Sequence, residues 1–295
     1  MNFGIFREAP ITRSKHAVPI SFEVYPPRNP EGFADLQDAI RALDQTGPEF
    51  ISVTFGAGGF STRQSLEVLT YIRDKTESIP LAHVTCVGTS TKQASELVKS
   101  FLDAKITHFL ALRGDLPEGH TRHDGELQHA TDLVELIHRL GAQNQEPISV
   151  SVAAFPNGHP ESNNTQDDID NLLRKQDAGA SLAISQLFFY SADYERFVEK
   201  ARKGGVTIPI LPGLMPITSV SRLARVLELT GENRPKQLAH SLEMSDNVED
   251  RSRAGIEWTA GLVKELVEMG APGIHLYAFN QHATVLSVLE QAGVR

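Results

Sequence analysis

Three groups of residues in this sequence carry chemistry beyond packing. The first is Arg113-Gly114-Asp115, which follows the mostly apolar run from His108 to Leu112 and precedes Leu116-Pro117. A run that short reads as a buried parallel strand covered on both faces. The charged pair at its carboxyl end either caps the strand as a loop ion pair or works on a ligand. The second is Glu23, set between Phe22 and Val24. A carboxylate inside an apolar strand loses solvation, so its pKa should rise and make it a proton donor near neutral pH. The structural alternative is a glutamate paired with a basic neighbour. The third is a helix predicted over 165–178, where Asp168, Asn171 and Lys175 share one face with Arg174 beside them. Ile169, Leu172 and Leu173 face the other way, toward a core. Cations so placed can hold the phosphates of a nucleotide, although charged helix faces are most often merely solvated.

These groups need elements to position them, and the chain alternates strand-like and helix-like segments. Strands are predicted over 20–25, 50–55, 81–87, 108–112, 148–154, 181–189, 206–211 and 274–279. Helices are predicted over 31–45, 61–75, 89–103, 127–140, 165–178, 191–203, 218–230, 234–245, 248–269 and 281–292. Pro26-Pro27 stops the first strand, because proline cannot continue a ladder. Gly56-Ala57-Gly58-Gly59 lets the backbone turn tightly and approach a ligand. Thr165 reads as an N-cap with Asp168 completing a capping box, and Gly179 as the stop. Eight strands, each followed by helix, predict a (β/α)8 TIM barrel, over 20–295 as one domain after an arm at 1–19. A doubly wound sheet is the rival, but the glycine fingerprint expected after its first strand is absent. In a barrel the strands' carboxyl ends face one mouth, which would gather Glu23, Tyr25, Thr54, His83, Thr85, Arg113, Asp115, Phe155, His159, Gln186, Tyr277 and Gln281.

Composition narrows the partners. The 295 residues carry a formal net charge of -9 and no Lys/Arg cluster, which argues against nucleic acid or an anionic membrane. No apolar run approaches the ~18 residues of a membrane span. The first 19 residues lack a secretory h-region. The single cysteine, Cys86, suits a reducing compartment and reads as a small buried hydrophobe. A cytoplasmic enzyme of a small molecule is the expectation. No Gly-x-Ser-x-Gly, P-loop or Cys-x-x-Cys is present. His120, His123 and His129 lack a convincing ligand set, so no metal is expected.

Six segments in order, Ser21-Phe-Glu-Val-Tyr-Pro-Pro27, Ser52-Val-Thr-Phe-Gly-Ala57, His83-Val-Thr-Cys86, Leu112-Arg-Gly-Asp-Leu-Pro117, His159-Pro-Glu161 and Pro212-Gly213, resemble the methylenetetrahydrofolate reductase family. The resemblance runs from the first strand to the last and matches the short bacterial form, without an added regulatory domain or the allosteric control it gives. It implies an FAD flavoprotein that reduces 5,10-methylenetetrahydrofolate to 5-methyltetrahydrofolate, with NADH or NADPH as co-substrate in a ping-pong hydride transfer. A homo-oligomer is expected. The resemblance implies that Glu23 is the general acid for opening the folate ring and that Asp115 lies near flavin and pterin, steering charge. It places Thr54, Phe55, Ala57, His83, Arg113 and Gly114 around the FAD. With them it places Asp115, Ala130, Phe155, His159, Ser162, Asp168, Asn171, Arg174 and Lys175. Folate contacts would come from Glu23, Thr54, Asp115, Gln186, Tyr277 and Gln281, with Gln186 shared by nicotinamide.

The chain departs from the family pattern at three places. Gln281 follows Asn280 where arginine is common, which puts the usual contact to the folate tail in doubt. Phe155 stands where tyrosine is common. The helix after Pro216 has Val226 and Leu227 in the region where an aromatic lid is expected. Two other functions compete. A flavin-independent reductase on the same barrel has no use for Arg113, His159 and the Arg174-Lys175 pair. A folate-binding or methyl-carrier protein without redox activity has no need of Glu23.

Overall fold

The computed structural model describes residues 18–27, 29, 31–54, 62–114, 125–162 and 164–295. The glycine cluster at 56–59, the residues Phe55, Ala57 and Asp115, and His120 and His123 lie outside the described residues, as do residues 1–17. The strands are β1 (Ile20–Val24), β2 (Phe50–Val53), β3 (Ile79–Thr85), β4 (His108–Leu112), β5 (Ser149–Ala154), β6 (Leu182–Ser185), β7 (Ile210–Leu211), β8 (Gly213–Leu214) and β9 (Ile274–Tyr277). The helices are α1 (Gly32–Asp44), α2 (Thr62–Lys75), α3 (Thr91–Asp103), α4 (Ala130–Asn144), α5 (Thr165–Asp177), α6 (Ser191–Lys203), α7 (Val220–Thr230), α8 (Lys236–Met244), α9 (Val248–Glu268) and α10 (His282–Ala292). Among the described residues all strand pairs are parallel, in the order β7-β6-β5-β4-β3-β2-β1-β9-β8. This is the (β/α) barrel expected.

Its closure differs from the expectation of one seventh strand over 206–211. Pro212 has no N–H to give the ladder, so the strand divides around it. The half before it pairs with β6 through Ala183↔Ile210 and Ile184↔Leu211. The half after it pairs with β9 through Gly213↔His275 and Leu214↔Leu276. Pro212 still contributes its carbonyl, which accepts from the His275 N–H at 3.0 Å. Gly213 crosses so close to β6 that a Cβ would lie 2.2 Å from the Ser185 carbonyl oxygen.

The barrel interior is a small apolar layer of Phe50, Leu81, Leu110, Leu182, Ile184 and Leu211. A larger layer packs the outward strand residues, including Phe22, Val24, Val84 and Phe109, against the helices. Each fully buried side chain of this size is worth about 1.5–3 kcal/mol. A third cluster seats α7 and α8 through Leu223, Val226, Leu238 and Leu242 on Leu187, Phe189 and Ile217. Val226 therefore belongs to packing.

Local signals explain the helix ends near the mouth. The N-cap of α5 is Asn164, not Thr165: its side-chain oxygen accepts from the N–H groups of Gln166 at 2.8 Å and Asp167 at 3.2 Å. Asn is at least as good a cap as Thr, and this frees Asp168 from a capping box. The helix carries Asp167 and Asp168 in its first turn and Arg174 and Lys175 in its last, which suits the helix dipole. For α3 a capping box does form, between Ser90 and Gln93.

Candidate active site

On the floor of the mouth, Glu23 is only 8% exposed, between Phe22 and Val24 on β1. The Thr54 hydroxyl donates to its Oε1 at 3.1 Å. Two imidazoles face its other oxygen: His83 Nε2 lies 3.6 Å and His275 Nε2 4.0 Å from Oε2. Both ring nitrogens are buried, with no hydrogen-bond partner among the described residues. The other nitrogen of His275, Nδ1, is 2.9 Å from the Ser21 hydroxyl. Burial, opposed by the Thr54 hydrogen bond, pushes the Glu23 carboxyl up to about 7. Burial pushes His83 and His275 down to about 3, with the neighbouring imidazole adding to the effect on His275. Near neutral pH the cluster is therefore a carboxyl poised to give a proton beside two uncharged rings. Sequence reasoning missed His275. Its signal was a histidine between Ile274 and Leu276 in an apolar strand.

A second wall is built by β4, β5 and α5. Arg113, just past β4, makes a two-pronged ion pair with Glu161, with Nη2 to Oε1 at 2.9 Å. The next residue, Gly114, has φ +87, and a Cβ there would press on Thr85. Asp168 is buried: its Oδ1 accepts from the Ser162 hydroxyl at 2.6 Å and from the His159 N–H at 3.2 Å. Its Oδ2 is buried, with no hydrogen-bond partner among the described residues. Lys175 donates to the Ala153 carbonyl at 2.9 Å and lies 5.9 Å from the centre of the Phe155 ring. Burial, opposed by the charge of Asp168, pushes the Lys175 ammonium down to about 8. Arg174 is exposed and donates to Asn171.

Between these walls lies a cavity of about 1100 Å³. Within the described residues, each residue singled out from the sequence as a site residue lines it, except Gln281. Gln186 sits there with its side-chain oxygen accepting from the Leu187 N–H. Tyr277 is held by its hydroxyl donating to the Ser185 carbonyl at 2.8 Å. Gln281 is exposed at the rim and accepts from Arg222 Nη1 at 3.0 Å. Among the described residues, no cluster of three or more His, Cys, Asp or Glu side chains is arranged to hold a metal ion. No helix among them is long and apolar enough to cross a membrane. Burial, the largest influence, pushes the Cys86 thiol up to about 11, so it is no nucleophile.

The model of the family "Methylenetetrahydrofolate reductase" matches residues 9–293. The chain belongs to the methylenetetrahydrofolate reductase family. A family member from Escherichia coli, named 5,10-methylenetetrahydrofolate reductase, is 31% identical over 277 residues, covering 94% of this chain and 91% of the relative. One of the same name from Pectobacterium carotovorum is 32% identical over 277 residues, covering 94% and 90%. A longer rice relative, named probable methylenetetrahydrofolate reductase (NADH), is 28% identical, and the match covers 93% of this chain but 48% of that one. Among solved structures, a Clostridium thermocellum protein described as binding two copies of 5-methyl-5,6,7,8-tetrahydrofolic acid superposes with a TM-score of 0.65 at 14% identity, covering 94% of both chains. At that identity the likeness speaks for the barrel alone.

Proposed function

We propose that this chain reduces 5,10-methylenetetrahydrofolate to 5-methyltetrahydrofolate with FAD as cofactor and NADH or NADPH as electron donor. The observation that carries the reading is Glu23: a buried carboxyl raised to about 7, at the bottom of the barrel mouth in a chain of this family. A proton donor with a pKa near the working pH is best matched to its task. Opening the folate's five-membered ring needs a proton on the departing nitrogen, and Glu23 is the group at hand to deliver it. His83 and His275, uncharged, leave the proton on Glu23 rather than drawing it into an ion pair. Thr54 fixes the carboxyl's orientation. Tyr277 and Gln186 supply further polar and ring surface for a flat heterocycle.

The second wall fits a flavin dinucleotide. Lys175 and Arg174 offer cations for phosphate, and the unpartnered Oδ2 of Asp168 offers an acceptor for a hydroxyl. The cavity is roomier than the ~300–1000 Å³ usual for one small ligand, consistent with cofactor and substrate side by side. When bound, the flavin would take hydride from the nicotinamide and give it to the folate. The names of the rice and maize relatives include NADH, which supports a nicotinamide donor. Asp115, outside the described residues, keeps its role near flavin and pterin as part of this proposal. A flavin-independent transfer leaves Lys175 and Asp168 without a ligand to serve. The test is the absorbance of the purified protein, followed by anaerobic addition of NADH or NADPH and then methylenetetrahydrofolate. A flavin band bleached by the donor and restored by the folate is the expected result. A colourless protein that still reduces folate would overturn the cofactor assignment.

A further inference from the structure

We propose that Arg222 is a specificity-determining residue, holding the anionic tail of the folate substrate as it leaves the barrel mouth; this rests on the folate reading above. Arg222 is the third residue of α7, just after the Ser219 cap, whose hydroxyl accepts from its N–H at 3.2 Å. A cation in the first turn opposes the helix dipole, and α7 has no acidic residue in that turn to offset it. Position alone therefore disfavours the charge. Nor, among the described residues, is the charge spent on an ion pair. Two other arginines nearby in sequence, Arg225 and Arg234, pair with Glu228 and Glu243. Among the described residues no carboxylate pairs with Arg222. Its guanidinium instead lies 5.5 Å from the centre of the Phe279 ring and donates one Nη1 bond to the neutral Gln281. A planar guanidinium steadied in this way keeps further donors for a carboxylate.

The surroundings aim that group at the mouth. Phe279 lines the cavity and stacks on Tyr25, with ring centres 5.0 Å apart. Phe279 and Asn280 have φ of +46 and +58, a backbone region that non-glycine residues rarely adopt. The Asn280 side chain holds the turn by bonding both the N–H and the carbonyl of Tyr25 at 2.9 Å. Strain kept by dedicated hydrogen bonds at a cavity rim is a mark of function. The charge of Arg222 is also felt inside, where it opposes the rise that burial imposes on the Tyr25 phenol. Glu23, Tyr25 and Phe279 line one cavity, so a folate whose reacting end meets Glu23 can extend to this rim, and its amino-acid tail ends in carboxylates.

The test is equilibrium binding of 5-methyltetrahydrofolate and of 5-methyltetrahydropteroate, which lacks the tail, to the purified holoprotein by calorimetry. Wild-type protein should bind the tailed ligand more tightly, and Arg222→Ala should weaken it about tenfold or more, the scale of one charge-assisted hydrogen bond. The preference for the tailed ligand should then largely disappear. Arg222→Gln should behave alike, and Arg222→Gln combined with Gln281→Arg, which moves the guanidinium across the same hydrogen bond, should recover most of the lost affinity. If Arg222→Ala keeps the full preference, or weakens both ligands equally, the proposal is overturned. If wild-type protein binds neither ligand, the folate reading itself fails and this inference falls with it.

Discussion

His83 Nε2 and Glu23 Oε2 face each other across 3.6 Å at the bottom of the barrel mouth, yet they are not an ion pair near neutral pH. Burial raises the carboxyl to about 7 and lowers the imidazole to about 3, so the same desolvation keeps the imidazole uncharged and holds the proton on the carboxyl up to neutral pH. The distance is also too long for a good hydrogen bond. The carboxyl is thus left with its proton available to a ligand.

That arrangement predicts a separation of the two half-reactions. Glu23→Gln keeps size and hydrogen bonding but cannot deliver a proton, so folate reduction should fall by about 10²–10⁴-fold, the usual range for general acid catalysis. Hydride transfer from nicotinamide needs no acid and should change by less than roughly tenfold, about 1.4 kcal/mol in barrier. Stopped-flow recording of flavin bleaching and recovery follows each half. Equal losses in both would make Glu23 structural.

The same residue sets a pH dependence of stability. Glu23 has a folded-state pKa raised from 4.5 to about 7, so the folded state binds its proton more tightly than the unfolded chain. Its contribution is fully present below about 4.5 and is lost as pH rises toward about 7. A difference of that size amounts to at most about 3 kcal/mol. The buried His83 and His275 have the opposite sign: their contribution is present above 6.5 and lost as pH falls toward about 3. Relative to wild type, Glu23→Gln should therefore gain stability steadily from pH 4.5 to 7 and no further above. Denaturant unfolding across that range checks it, and parallel profiles for the two proteins would refute it.

Much of this site was legible because its residues stand at strand ends, where an apolar run stops on a polar residue. Thr54 and Arg113 announce themselves in that way, whereas Glu23 and His83 stand out as polar residues between apolar neighbours inside β1 and β3. Strand ends were less legible: apolar runs continue through Val87 and Phe189 after the ladder has ended at Thr85 and Ser185. Phe189 is apolar because it packs under α7, not because it extends a strand. The division at Pro212 depends on which neighbour each half pairs with, and periodicity carries no such information. Arg222 gave no signal, because a lone arginine on a helix differs from a solvated one only through Phe279 and Gln281, residues 57 and 59 positions away.

Cofactor retention should depend on the basic end of α5. Replacing Arg174 and Lys175 together by Ala removes two cations from the cavity wall while leaving Ile169 and Leu172 buried in the core. Folded protein with little or no flavin absorbance is expected. Circular dichroism establishes the fold, and the flavin-to-protein absorbance ratio measures retention. A variant as yellow as wild type would move the phosphate site elsewhere.

The last prediction concerns closure of the barrel at Gly213. This residue opens β8, which pairs with β9, and passes between β6 and Tyr277, and its N–H donates to the Ser185 hydroxyl at 2.9 Å. A Cβ would stand 2.2 Å from the Ser185 carbonyl oxygen and 2.8 Å from the Tyr277 hydroxyl. The first of these neighbours is backbone and cannot swing aside. Relief requires β6 and the strand halves around Pro212 to separate, which strains the bond from Tyr277 to the same carbonyl. Overpacking a tight interior typically costs about 1–3 kcal/mol, and Gly213→Ala should fall at the upper end because backbone must move. Chemical denaturation measures the loss. Folate affinity should fall as well, since Gln186 directly follows β6 and Tyr277 is bonded to the displaced Ser185 carbonyl, and both line the cavity. Gly261→Ala is the control: a Cβ there meets nothing within 4 Å, so the added methyl should leave stability within about 1 kcal/mol of wild type or raise it slightly. Equal effects from the two substitutions would show that the close crossing at Gly213 does not limit the fold.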